Sequence, residues 1–339
     1  MNTTLPTRKL GTDGPQITTV GFGAWAAGGG GWAFGWGPQD DAASIAAIRH
    51  ALARGVNWID TAAVYGLGHS EEVVGRALAD VPASERPLVF TKCGLRWNDA
   101  EPMKPPVRDS RPARVREECE ASLRRLRVER IDLYQFHWPD EVGTPIEESW
   151  GAMLRLVEEG KVRGPGVSNY DVPRLEACEE IGHVQSLQPP FSMIRRDAGG
   201  AQVPWCANHG TGVIVYSPMQ SGLLTDSYTA ARAAALAPDD WRRLSPQHQS
   251  PNLERNLALR DALRPIAGKH GVTVASVAVA WTVAWPGVTG AIVGARSPEQ
   301  VDGWIGAATL KLDADDLTAV AAAIEKTGAG SGPAKPAYS

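Results

Sequence analysis

Eight short runs rich in β-branched and apolar residues recur along this chain, each followed by a stretch with helical spacing. They are ITTVGFG (17–23), VNWIDTA (56–62), LVFTKC (88–93), IDLYQFH (131–137), VRGPGVS (162–168), SLQPP (186–190), GVIVYSP (212–218) and GAIVGA (290–295). Several are apolar without alternation, as parallel strands covered on both faces are. Helical patterns lie at 41–54, 70–79, 112–126, 145–159, 172–180, 201–209 and 253–283, the last long enough for two helices. Another starts at Pro298 and a final one covers 314–326. Eight strand–helix pairs build either a closed (β/α)8 barrel or a long doubly wound sheet. An open sheet gathers its site at one switch point, whereas here the polar candidates sit at the downstream ends of many strands. The reading is therefore a single-domain TIM barrel over 1–327, preceded by a small hairpin within Lys9–Thr19 and followed by an extra C-terminal helix. The closing GAGSGPAKPAYS (328–339) reads as a disordered tail.

Two helix starts, Thr144-Pro145-Ile146-Glu147 and Ser297-Pro298-Glu299-Gln300, have the spacing of capping boxes with proline at the first helical position. Residues 223–252 are too long for an ordinary connection, and loops of that length often act as lids. Gly28–Gly31 lacks the spacing of a dinucleotide fingerprint and reads as a mobile first loop at the barrel mouth.

Charge narrows the function classes. Lys and Arg total 34 against 38 Asp and Glu, for a net charge of −4, which gives no general pull toward nucleic acid or an anionic membrane. No run approaches the roughly 18 continuous apolar residues of a spanning helix. The opening MNTTLPTRKLG has no apolar core of the signal-peptide kind. Cys93, Cys119, Cys178 and Cys206 are widely separated, with no CxxC pair, so neither a zinc site nor a disulfide frame is expected. The expectation is a cytoplasmic protein with reduced thiols.

Chemistry concentrates on Asp60, Tyr65, Lys92 and His137, each at or just past a strand end. Reducing a carbonyl requires a proton donor at oxygen and a polar setting for the charge that grows there. A free phenol, with a pKa of about 10, is a weak donor at neutral pH. A neighbouring ammonium favours the phenolate and strengthens that acid, and a carboxylate paired with the lysine holds it in place. Asp60 and Lys92 supply the pair, Tyr65 the phenol, and His137 a hydrogen bond to direct the carbonyl. Each residue alone also suits a structural role; four together at the catalytic face of one barrel favour catalysis.

These residues lie within longer motifs: WGPQDD (Trp36–Asp41), GVNWIDTAAVYGLGHSEEVVGRAL (Gly55–Leu78), FTKCG (Phe90–Gly94), DLYQFHWPD (Asp132–Asp140), GVSNY (Gly166–Tyr170), YSPMQSGLLT (Tyr216–Thr225) and GARSPEQ (Gly294–Gln300). In this order they resemble the aldo-keto reductase family, from Arg8 to about Leu310. The likeness is greatest to its bacterial branch of sugar and polyol dehydrogenases and aldehyde reductases. The resemblance implies a metal-free (β/α)8 oxidoreductase using NAD(P)H, with Tyr65 as general acid supported by Asp60, Lys92 and His137.

The remaining strand ends then suit a nicotinamide. Ser168, Asn169 and Gln188 can bond a carboxamide, and Tyr216 offers a ring face. Ser217, Pro218, Met219, Ser221, Gly222 and Leu223 resemble the family's pyrophosphate loop. Gly294 and Arg296 precede a helix start, a ready anion site. By resemblance that anion is the 2′-phosphate of NADP, with Gln300 at the adenosine; NAD is the alternative cofactor. Trp25 also falls at this face, as a candidate for both cofactor and substrate contact. Trp25, Trp32, Trp97 and Trp138, with Tyr65 and His137, form a candidate substrate wall for aldehydes, ketones, sugars or polyols, though with 12 tryptophans many must be core. Two departures stand out. Pro165 falls inside the fifth run, where irregular pairing is expected. Gly303 and Trp304 replace the family's frequent Glu-Asn adenosine contacts; Trp304 either stacks on adenine or packs on the barrel's outer layer. The rival function is an NADP-binding redox-sensing subunit with little turnover.

Overall fold

The computed structural model describes residues 4–237 and 240–336. The chain opens with an antiparallel pair, β1 (Thr7–Lys9) and β2 (Gln16–Thr18). The barrel strands are β3 (Val20–Gly23), β4 (Trp58–Asp60), β5 (Leu88–Cys93), β8 (Ile131–Phe136), β9 (Val162–Ser168), β10 (Ser186–Gln188), β11 (Gly212–Val215) and β12 (Gly290–Gly294). All eight pair in parallel and close, β12 meeting β3 through Ala291–Val20 to Gly294–Gly23. Between β5 and β8 lies a second hairpin, β6 (Leu95–Arg96) with β7 (Val107–Arg108), which the sequence did not announce. The (β/α)8 class expected from the alternation is the one observed.

Each strand returns through helix on the outside: α1 (Asp41–Ala53), α2 (His69–Ala77), α3 (Pro112–Leu126), α4 (Ile146–Glu158), α5 (Val172–Ile181) and α6 (Gln202–His209). A short α7 (Ala230–Ala234) lies in the long segment after β11. The stretch expected to hold two helices holds three, α8 (Asn252–Ala262), α9 (Arg264–His270) and α10 (Val274–Ala284). Pro265 starts α9 and Gly271, at φ 62°, ends it, which accounts for the added breaks. Helices α11 (Pro298–Ile305) and α12 (Ala314–Thr327) complete the outer layer. Among the described residues no helix is long and apolar enough to cross a membrane.

The core has three parts, the smallest being Trp32, Ala62, Val64 and Leu95 beside Tyr65. Strand side chains facing outward from the barrel and helix side chains facing in toward it form the largest one. Inside the barrel, Trp58, Phe90, Leu133, Ile214 and Ile292 fill the floor with Leu10 and Ile17 of the N-terminal hairpin, which plugs it from below. Because strand side chains alternate with period two, the next inward positions, Asp60, Lys92, Gln135, Ser168, Gln188 and Tyr216, form the layer above. Parity in the strands thus sets an apolar floor beneath a polar rim.

Several local expectations need correction. Helix α4 begins after Pro145 with no side-chain cap, and buried Thr144 Oγ1 has no partner among the described residues. Ser297 likewise makes no capping bond; Gln300 Oε1 instead accepts the amide of Arg296 at 2.8 Å. Both supposed boxes are therefore absent. Pro165 causes no break, since β9 stays continuous and keeps Tyr134 as its cross-strand partner. The tail is docked from Ala329 to Gly332, while 337–339 lie outside the described residues. Ser331 N donates to Ile194 O at 3.0 Å and Arg196 N donates to Ser331 O at 2.9 Å. A Cβ on Gly330 would sit 1.7 Å from Ile194 O, so a glycine read as a sign of disorder instead permits close approach.

Candidate active site

At the rim, Lys92 Nζ donates to Asp60 Oδ1 at 2.5 Å, to Thr61 O at 2.9 Å and to Tyr65 Oη at 3.5 Å. The other carboxylate oxygen of Asp60 accepts from Gln188 Nε2 at 2.9 Å. The Lys–Asp pair is sealed from water, at 1% and 3% exposure, and burial resists each charge while the partner's contact sustains it. His137 stands edge-on to the Tyr65 ring, with centroids 5.5 Å apart. The four residues expected from the sequence therefore meet.

The loop holding Tyr65 is fixed rather than free. Its amide donates to Ala62 O at 3.1 Å and its carbonyl accepts from Ser70 N at 3.1 Å. Gly28 and Gly66 lie so close that a Cβ on Gly66 would be 2.2 Å from Gly28 O, locking the first loop to the tyrosine loop. The first loop, expected to be mobile, is thus pinned at this contact.

The electrostatics differ from expectation in one respect. Burial, then the Asp60 carboxylate, push the Tyr65 phenol well above its ordinary value. These two outweigh the Lys92 ammonium, which only reaches the phenolic oxygen at 3.5 Å. The resting tyrosine is a firmly protonated donor. Burial and the Lys92 charge push His137 well below the ordinary imidazole range, leaving it neutral at pH 7.

A cavity of about 950 Å³ runs from Tyr65 along the rim to α11. Its wall includes Trp25, Ser168, Asn169, Gln188, Tyr216, Ser217, Pro218, Met219, Ser221, Gly222, Gly294, Arg296 and Gln300, as expected. Leu223 is not on it; its side chain is fully buried in the core. Trp32 and Trp138 line the other end. Trp97 does not; it packs beside them against the cluster that includes Trp32 and Leu95, and its indole donates to Asp99 at 2.9 Å.

The nicotinamide candidates are linked to one another. Tyr216 Oη donates to Asn169 Oδ1 at 2.9 Å, Asn169 Nδ2 to Ser168 Oγ at 3.0 Å, and Ser168 Oγ to Gln188 O at 2.8 Å. In the next loop Ser217, Gln220 and Ser221 all hold positive φ, at 58°, 45° and 53°. Left-handed backbone at three non-glycine residues is strain of the sort functional loops carry. Arg296 reaches the first loop, where Nε donates to Gln39 Oε1 at 2.5 Å and Nη2 bonds Pro38 O.

Sequence reading also missed part of the cavity. The long segment after β11 lies across the rim, with Trp241 stacked on Trp25 at 5.5 Å and Trp25 stacked in turn on Tyr65 at 5.8 Å. It brings Arg242 over the Trp36 ring at 4.9 Å and adds Arg232 and Tyr228 to the wall. Only the segment's length signalled this. Phe34, Leu95, Arg108 and Glu141 join the substrate end through loop packing that no motif revealed. Trp304 is 2% exposed, belongs to the outer core and touches the cavity wall, so packing is its main role.

The residues present fit a dinucleotide. Trp36 Nε1, Trp304 Nε1 and Tyr228 Oη are buried donors on wall residues with no partner among the described residues. Together with Arg232, Arg242 and Arg296 on the same wall they suit a polyanionic, heteroaromatic ligand.

Comparison with known proteins agrees. The model of the Aldo/keto reductase family matches residues 19–325. Aldo-keto reductase YhdN of Bacillus subtilis (strain 168) is 33% identical over 320 residues, covering 94% of this chain and 93% of that protein. The NADH-specific methylglyoxal reductase of Escherichia coli (strain K12) is 32% identical, covering 91% and 95%. Among solved structures, the glycerol dehydrogenase AKR11B4 from Gluconobacter oxydans aligns with a TM-score of 0.85 at 40% identity, covering 96% of this chain and 97% of that one. The chain belongs to the aldo/keto reductase family, whose oxidoreductases act on carbonyls and sugar alcohols with a nicotinamide cofactor.

Proposed function

We propose that the protein is an NADP(H)-dependent oxidoreductase interconverting an aldehyde or ketone, or a sugar carbonyl, with its alcohol, and that Tyr65 is its general acid and base. When bound, the nicotinamide supplies or accepts the hydride. The observation that carries the reading is the chain of contacts Asp60–Lys92–Tyr65 beneath a cavity edge shared with His137.

In the reductive direction, neutral His137 donates a hydrogen bond that orients the carbonyl oxygen. Tyr65 gives that oxygen its proton as negative charge accumulates there. A phenol of high pKa can do this because the alkoxide is a far stronger base than the ground-state carbonyl. Lys92 donates to the phenolic oxygen as it loses its proton, and Asp60 keeps the ammonium aimed. Buried groups act strongly here because the low-dielectric rim amplifies each contact and needs little reorganisation. In the oxidative direction the same proton returns from the alcohol to Tyr65.

Gln188, with its Nε2 on Asp60, leaves Oε1 for a carboxamide, and Tyr216 presents a ring held by Asn169. Ser217, Met219, Ser221 and Gly222 would follow the pyrophosphate. Arg296, with Arg242 and Arg232 nearby, supports NADP over NAD, because a guanidinium at a helix start suits a phosphate dianion. Four free, buried cysteines support a reducing cytoplasmic setting. We assign a single catalytic domain to 1–327.

The test is to mix purified protein with NADPH, or with NADP for the reverse reaction, and follow reduced-nicotinamide absorbance over a panel of aldehydes, aldoses and polyols. Saturable, substrate-dependent turnover is expected. Tight NADPH binding without turnover on any member would overturn the catalytic reading in favour of a redox-sensing role.

A further inference from the structure

Three arginines stand near the substrate end of the cavity, and they are used differently. Arg111 binds Asp109 through Nε at 2.8 Å and Nη2 at 2.5 Å, and Arg96 Nε approaches the same carboxylate at 3.4 Å. Arg108 makes no side-chain hydrogen bond among the described residues. Its guanidinium lies over the Trp138 ring, 4.6 Å from the centroid, and its residue forms part of the cavity wall. Trp138 directly follows His137, so this cation is stacked on the neighbour of the group that orients the carbonyl.

Arg108 is also held firmly in place. Its amide donates to Glu141 Oε1 at 2.9 Å, and Glu141 N donates to Arg108 O at 3.1 Å. Asp140 ties the same two loops together, accepting from Ser110 N at 2.8 Å and from Thr144 N at 2.8 Å. Pro105 and Pro106, on the same wall, stiffen the approach to β7. A fixed backbone and a stacked side chain reduce the ordering cost of using the guanidinium on a ligand.

We propose that Arg108 and Glu141 form a specificity subsite for the hydroxyl-bearing tail of a neutral polyhydroxy substrate. This rests on the oxidoreductase reading above. Glu141 Oε2 lies 3.9 Å from Arg108 Nε, so the mouth carries a donor fork and a carboxylate acceptor side by side. A hydroxyl both donates and accepts and satisfies such a pair. A carboxylate or phosphate tail would gain the fork but meet the charge of Glu141. An alkyl tail would use the aromatic wall of Trp32, Phe34 and Trp138 while leaving both polar groups to water. Arg108 is a specificity residue here, since it touches the tail rather than the reacting carbon.

The test uses three four-carbon aldehydes, erythrose, butanal and succinic semialdehyde, with the intact enzyme and saturating NADPH or NADH. Arg108→Met keeps a flexible chain over Trp138 and removes the donors. It should raise KM for erythrose about tenfold or more, the usual effect of losing hydrogen bonds to a charged group, with kcat little changed and the KM for butanal unmoved. Glu141→Gln should raise KM for erythrose less, and lower it for succinic semialdehyde. Equal KM changes for erythrose and butanal, or none, would overturn the subsite. So would a wild-type preference for succinic semialdehyde that Arg108→Met abolishes. If wild-type protein reduces none of the three but turns over other aldehydes, aldoses or polyols, the subsite falls and the oxidoreductase reading stands; if it turns over none of them, both fall.

Discussion

Along β4, Trp58 is sealed among Phe90, Leu133, Ile214 and Ile292, while Asp60, two residues on, holds Lys92 at 2.5 Å. The same step recurs on β5, from Phe90 to Lys92, and on β8, from Leu133 through Gln135 to His137. Floor and rim thus share strands, parity and burial, and differ in one layer of side chains. The floor gains stability from transfer of apolar surface. The rim carries buried polar groups that are acceptable only because they satisfy one another. A barrel can therefore keep a costly polar cluster in fixed geometry because the layer directly below it is rigid and dry.

The largest expected effect breaks the floor alone. Trp58→Ala should lower unfolding stability by about 3–5 kcal/mol, the range for removing a buried large aromatic, in urea melts. At temperatures where the variant stays folded its turnover should survive, because Gln188 and Lys92 still hold Asp60. Loss of turnover in folded protein would show that floor and rim are not separable in this way.

A second, smaller effect concerns the far end of the rim. Arg296→Ala should weaken NADPH binding about tenfold to a hundredfold, as expected for charge-assisted bonds, with much less change for NADH. Titration by intrinsic tryptophan fluorescence measures both. Equal losses would mean that Arg296 acts through its bonds to Gln39 and Pro38, shaping the first loop, rather than reading a 2′-phosphate.

A third effect, small at any one pH and spread over a window, concerns a histidine of the long segment after β11. Burial pushes His248 down to about 4. The unfolded chain binds this proton below about pH 6.5, the folded chain only below about 4. Stability is thus lost as pH falls across that window, by at most about 1.4 kcal/mol per pH unit from this group. His248→Gln should flatten the wild-type slope between these limits in urea melts at stepped pH. An unchanged slope would place the histidine in contact with water.

Much of this was legible because strand parity is local. The eight runs mark the barrel, and their downstream ends mark Asp60, Tyr65, Lys92 and His137. What escaped depends on distant parts of the chain. Gln300 fitted a capping box by spacing, yet the amide of Arg296 takes its oxygen. Gly330 looked like part of a loose tail until Ile194 O filled the space a side chain would need. Arg108 carries no local signature, since its place follows from Trp138 and Glu141 arriving from another loop. The rise of the Tyr65 phenol above its ordinary value also has no local signature, since burial in the folded rim is its largest cause.

The most direct test of the rim's chemistry is Tyr65→Phe, assayed for single-turnover hydride transfer alongside NADPH binding and thermal unfolding. Removing one oxygen from a ring still stacked on Trp25 should cut the rate at least about a hundredfold, the usual scale of general acid–base catalysis. Cofactor affinity and unfolding temperature should stay close to wild type. A rate equal to wild type, with the protein folded and loaded, would contradict the assignment of the proton to this phenol.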